Sequence, residues 1–248
     1  MRLRSSAPDA KRQWEELNRF TARLEMPFFH VVGNHDILTG LPGSNEGRDN
    51  TMKVWKELHG TNTYYSFVYK NCLFIALNTI DDLTLEAKHE FISEKQYAWF
   101  ERTLKENPDA RWTFIFMHQP AVWTTERWLK FELENLVSRK YTVFAGDWHH
   151  YLHARRHGHD YYVLATAGGC GGGGIAGKDM DKRGVLLGRE YGELDHIMWV
   201  TMTANGPEVV NLKLDGILPG DYLNELTTKS TTPSVVLDRP ASPETVAR

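Results

Sequence analysis

The chain has 248 residues, 41% of them hydrophobic and 25% charged, which is enough for one sizeable soluble core. A net charge of -3 leaves no basic footprint, so nucleic acid is not indicated as a partner. No apolar run approaches the roughly 20 residues that span a membrane, and the two cysteines, Cys72 and Cys170, are too few for a disulfide framework.

In chain order, Asp9 to Leu24 carries Trp14, Leu17, Phe20 and Leu24 at spacings of three and four, which predicts an amphipathic helix packing on a sheet. Pro27 to Val32 is an apolar run bounded by Pro27 and Gly33 and reads as a buried strand. Thr63 to Tyr69 and Cys72 to Asn78 read as a hairpin turning at Lys70-Asn71. Ser93 to Glu106 is a helix with Ser93 and Gln96 as a capping-box pair. Arg111 to Met117 is a second buried strand, Trp123 to Val137 a further helix, and Tyr141 to Ala145 a third strand. Tyr161 to Thr166, His196 to Thr203 and Glu208 to Leu214 are late strands.

The chemistry sits where the apolar strands stop. The first ends on Gly33-Asn34-His35-Asp36, the second on His118-Gln119-Pro120, and the third on Gly146-Asp147-Trp148-His149-His150. Asn34 offers a neutral oxygen ligand, and His35 can give or take a proton near neutral pH. Each motif alone is an ordinary polar turn, since Asn, Asp and Gly are common turn formers. Three strands ending in metal-binding residue types are more economically explained by convergence at one sheet edge.

The GNHD, His-x-Pro and GHxH-like elements, in that order and spacing, resemble the calcineurin-like metallophosphoesterases from about Met26 to about Leu214. The resemblance implies an α/β four-layer sandwich of two mixed sheets packed face to face with outer helices. It also implies a metal-dependent hydrolase of phosphate esters, phosphatase or phosphodiesterase, with two divalent ions (Mn, Fe, Zn or Mg) and a metal-activated hydroxide. By the same resemblance Asn34 and His118 are ligands of the second metal, His149 is a ligand of the first, and His35 is the catalytic histidine. Asp36 orients His35 or serves the turn. Substrate selectivity resides in loops, with Trp123, Trp148 and Tyr151 as pocket walls or core.

Two departures stand out. Asp147 occupies the position of the first GHxH histidine, where a hard carboxylate favours manganese, magnesium or iron over zinc; in another register His150 reaches the site instead. The family's opening Asp-x-His and Gly-Asp-x-x-Asp motifs do not occur before Gly33. A βαβ unit takes about 30 or more residues, so on the order of 30 to 70 residues are expected to precede Met1, leaving the domain incomplete at its N-terminus and the activity of this chain doubtful. The alternatives are a non-catalytic phosphoesterase-like module and a single-metal histidine-based binding protein.

The remaining stretches carry less. His153, His157 and His159 lie among Arg155, Arg156 and Gly158 and read as a hairpin whose histidines are solvated or stand behind the site's ligands. Gly168-Gly169 and Gly171 to Gly174 lack P-loop spacing and read as a flexible wall near the site. Residues 1 to 226 form one domain in this reading, and the Thr-, Ser- and Pro-rich segment Thr227 to Arg248 is a disordered tail.

Overall fold

The computed structural model describes residues 7–37, 45–60, 62–81, 92–121, 125–149, 151–165, 196–213 and 216–217. The chain is α/β and divides into two compact units, residues 1–139 and 140–248. No helix of the described residues is long and apolar enough to cross a membrane.

In the first unit, helix α1 (Ala7–Thr21) packs on helix α3 (Asn45–His59) through a core of Trp14, Val32, Val54, Trp55 and Ile80. Trp14 and Leu17 face this core as their spacing predicts. Phe20 and Leu24 do not: Leu24 is 44% exposed because the helix ends at Thr21 and the periodicity outlasts it, and Phe20, in the helix's last turn, is 61% exposed. Between the two helices, Asn34–Ile37 form the single helical turn α2.

The expected strand at Pro27 to Val32 does not form a ladder among the described residues. An apolar run supplies side chains, but a strand also needs a backbone partner, and Pro27 lacks an N–H. Side-chain contacts anchor the segment instead. Phe29 stacks on Phe67 at 4.4 Å, and the Tyr65 hydroxyl donates to the His30 carbonyl at 2.8 Å.

Strands β1 (Tyr65–Tyr69) and β2 (Cys72–Ala76) form the expected hairpin, paired Tyr69↔Cys72 across Lys70 and Asn71. Both turn residues have positive φ, 47° and 59°, as a tight two-residue turn between right-twisted strands requires. Strand β3 (Trp112–Phe116) runs parallel to β2, from Cys72↔Trp112 to Ala76↔Phe116. That register brings the C-terminal ends of both strands level, so Asn78-Thr79 and His118-Gln119 leave the sheet side by side.

Helix α4 (Glu94–Glu106) starts at Ser93, whose hydroxyl accepts the Gln96 N–H at 3.2 Å. The capping box is only half made, since the Ser93 N–H donates to Asp81 Oδ1 at 3.0 Å and the Gln96 side chain is engaged elsewhere. Helix α5 (Glu126–Asn135) starts at Thr125, which caps the Trp128 N–H at 3.1 Å. Trp123, expected inside that helix and as a pocket wall, lies outside the described residues.

In the second unit, β4 (Tyr141–Ala145) is fully buried and runs parallel to β6 (His159–Val163), which pairs antiparallel with β5 (Leu152–Arg156). His157 and Gly158 make the β5–β6 turn at φ 49° and 81°, so the histidine-dense stretch is the expected hairpin. Strands β7 (His196–Met202), β8 (Pro207–Lys213) and β9 (Gly216–Ile217) form an antiparallel sheet in that order. The glycine-rich stretch from Gly168 to Gly174, Cys170 and the segment after Ile217 lie outside the described residues.

Candidate functional site

The GNHD residues close on themselves before they reach anything distant. The Gly33 N–H donates to Asp36 Oδ2 at 2.9 Å, and the Asp36 N–H donates back to the Gly33 carbonyl at 3.0 Å. These two bonds close the turn between Gly33 and Asp36. Burial raises the Asp36 carboxyl above the usual carboxylate range, while the Gly33 N–H and the nearby His118 and His35 pull it back.

Asn34 Oδ1 accepts the His35 N–H at 2.9 Å and lies 3.1 Å from His118 Nε2. The two side chains come from opposite ends of the first unit, 84 residues apart in sequence. Gly33 makes the approach possible, because a Cβ there would stand 3.1 Å from Cγ, Cδ2 and Cε1 of the His118 ring. His35 is exposed on the same turn.

Around His118, a buried polar frame holds the chain that follows β3. The Leu77 N–H donates to the Phe116 carbonyl at 2.8 Å, and the Gln119 N–H donates to Thr79 Oγ1 at 3.1 Å. Gln96 brackets Asn78, its Oε1 accepting the Asn78 N–H at 2.8 Å and its Nε2 donating to the Asn78 carbonyl at 2.7 Å. Gln96 Nε2 also donates to Asp81 Oδ2 at 2.8 Å, and Asn78 Nδ2 donates to Thr63 Oγ1 at 2.9 Å. Asn78, Thr79 and Gln96 are each at most 1% exposed. These residues are missed in the sequence reading, although Asn78 and Thr79 stand at the end of an apolar strand as the other site residues do.

In the second unit, the chain leaves β4 through a turn closed by the Trp148 N–H donating to the Gly146 carbonyl at 2.8 Å. Asp147 and His149 both adopt the left-handed region, at φ 66° and 58°. Such backbone is uncommon for residues with a Cβ and collects at functional turns. His149 Nδ1 is buried without a hydrogen-bond partner among the described residues. Its neighbour His150 lies outside the described residues. Tyr151, named as a pocket wall or core, is 6% exposed and packs edge-on to His196, which makes it core.

The donor atoms suit a divalent ion. Two ligands at right angles on bonds of about 2.1 Å lie about 3 Å apart, and Asn34 Oδ1 and His118 Nε2 are 3.1 Å apart. The orphaned imidazole nitrogen of His149 is the second fitting feature. Among the described residues, no group of three or more His, Cys, Asp or Glu stands together as a metal-holding cluster.

A family model for calcineurin-like phosphoesterases matches residues 5–165, more than half of the chain. The match begins upstream of the Met26 expected from the motifs, taking in α1, and it stops at Ala165, short of the expected Leu214. No curated protein matches the chain.

Proposed function

This chain belongs to the calcineurin-like phosphoesterase family, in general metal-dependent hydrolases of phosphate esters, and from that membership we propose that it is a phosphatase or phosphodiesterase built for two divalent ions. Asn34, His118, Asp147 and His149 are the metal ligands in this reading. The observation that carries it is the convergence of Asn34 Oδ1 and His118 Nε2 to 3.1 Å across 84 residues of sequence. When bound, divalent ions supply charge neutralisation and water activation for phosphoester hydrolysis.

The chain's own contributions are then distinct. Asn34 and His118 present an amide oxygen and an imidazole nitrogen, while Asp147 adds a carboxylate oxygen that favours hard ions over zinc. His35 stands on the same turn as Asn34 but remains exposed, so its imidazole is free to give a proton to the leaving alkoxide. Asp36 fixes the turn from which both side chains project.

The test loads the purified protein with Mn2+, measures bound metal by elemental analysis and assays an aryl phosphate monoester and a diester. Because the family's Asp-x-His and Gly-Asp-x-x-Asp ligands do not occur before Gly33, turnover is expected to be low but metal-dependent, and His35→Ala should take it to background with metal content unchanged. Metal-loaded protein inert towards both esters would defeat the hydrolase reading, and metal loss in His35→Ala would defeat the role given to His35.

A further inference from the structure

The ladder between β2 and β3 ends at the pair Ala76↔Phe116, yet the two chains stay bound to each other for three more residues. The Leu77 N–H to Phe116 carbonyl bond continues the backbone pairing by one step. Beyond it a side chain takes over, because the Gln119 N–H finds Thr79 Oγ1 at 3.1 Å instead of a carbonyl. Thr79 is 1% exposed and Gln119 is 7% exposed, so water cannot replace the hydroxyl.

We propose that Thr79 is a positioning residue for His118: its hydroxyl holds the Gln119 N–H and so fixes the peptide that carries the imidazole to Asn34. The proposal deepens the metallophosphoesterase reading and rests on His118 being a metal ligand there. Three observations locate the control at Thr79. The bonded N–H belongs to the residue directly after His118, so a shift at Gln119 turns the His118 backbone with it. Thr79 is itself immobilised from behind, since Gln96 brackets the Asn78 backbone with two bonds and Asn78 Oδ1 accepts the Ile80 N–H at 2.8 Å. Finally, the His118 ring lies against Gly33 with no slack, the distances from a Cβ at that position being 3.1 Å. A small rotation at Gln119 therefore moves Nε2 away from Asn34 Oδ1 or drives the ring into the Gly33 backbone.

The chemistry makes Thr specific in this place. Valine matches its shape but has no acceptor, and it leaves a buried N–H unsatisfied. Serine keeps the acceptor and loses only a methyl group. The pair thus separates the hydrogen bond from packing.

The experiment compares wild type, Thr79→Val and Thr79→Ser in the full chain. It records the His118 imidazole resonances by nitrogen-edited NMR without metal, assigned with His118→Ala, and then Mn2+ binding by titration calorimetry. Thr79→Val should shift the His118 resonances and weaken Mn2+ binding by about tenfold to a hundredfold. Thr79→Ser should return both to wild-type values. Thr79→Ala, which adds no bulk, takes the place of Thr79→Val where that variant does not fold. Unshifted His118 resonances in the folded variant overturn the proposal. Shifted resonances with no Mn2+ binding even in wild type would uphold the positioning role and overturn His118 as a metal ligand.

Discussion

His118 lies flat against Gly33, close enough that a methyl group in place of the glycine hydrogen would stand 3.1 Å from three atoms of the ring. That distance is tighter than ordinary van der Waals contact, and the ring has little freedom to retreat while Nε2 sits 3.1 Å from Asn34 Oδ1.

Gly33→Ala is therefore expected to destabilise the protein by about 1–3 kcal/mol, the usual cost of overpacking a close contact. It should also separate His118 from Asn34. Urea denaturation reads the first effect, and the His118 imidazole resonance reads the second. Unchanged values in both would mean that the glycine serves the turn alone.

Much of this arrangement was legible in the sequence, because strand ends and glycine turns are local features. GNHD, His118 and the β4 motif are found by reading where apolar runs stop, and the hairpin turns at Lys70-Asn71 and His157-Gly158 follow from two-residue chemistry. Gln96 was not legible in the same way. At the third position after Ser93 it matches a capping box, yet its side chain is taken by Asn78, a residue distant in sequence that no local pattern announces. Leu24 shows the converse error, since a 3.6-residue period says nothing about where the helix ends. Helix α3 escaped notice because Gly47 and its many charged residues obscure the apolar face that Met52, Trp55 and Leu58 present to Trp14. The Pro27 to Val32 run states that the segment is apolar but names no backbone partner.

Acid sensitivity follows from the ring cluster around Trp14. His30 lies tilted against His59 with centroids 4.3 Å apart, and Trp14 meets both rings edge-on at 5.4 and 4.9 Å. Burial lowers the His30 pKa to about 4, with nearby His59 adding to the effect, and burial lowers His59 as well. A histidine whose folded pKa is depressed stabilises the fold above its unfolded value of 6.5, and that stability is lost as pH falls towards about 4. Thermal midpoints should therefore fall between pH 6.5 and 4, and His30→Gln should flatten the decline. A wild-type midpoint that stays level across that window would contradict the assignment.

If Asp147 is the ligand proposed above, it sets stability against function at a single residue. Its φ of 66° places a Cβ in left-handed backbone, where L-residues other than glycine cost roughly 1–2 kcal/mol, somewhat less for Asp. Asp147→Gly removes that strain together with the carboxylate, so it should raise stability by up to about 1 kcal/mol while weakening Mn2+ binding. Asp147→Ala loses the carboxylate without relieving the backbone, so it should weaken Mn2+ binding and leave stability level or lower. Asp147→His keeps a ligand and should move preference towards zinc. Denaturation and metal titration of the three variants separate backbone from side chain, because only the glycine variant changes both in opposite directions. If Asp147→Ala retains full Mn2+ affinity and His150→Ala loses it, the ligand is His150 and Asp147 is a turn residue alone.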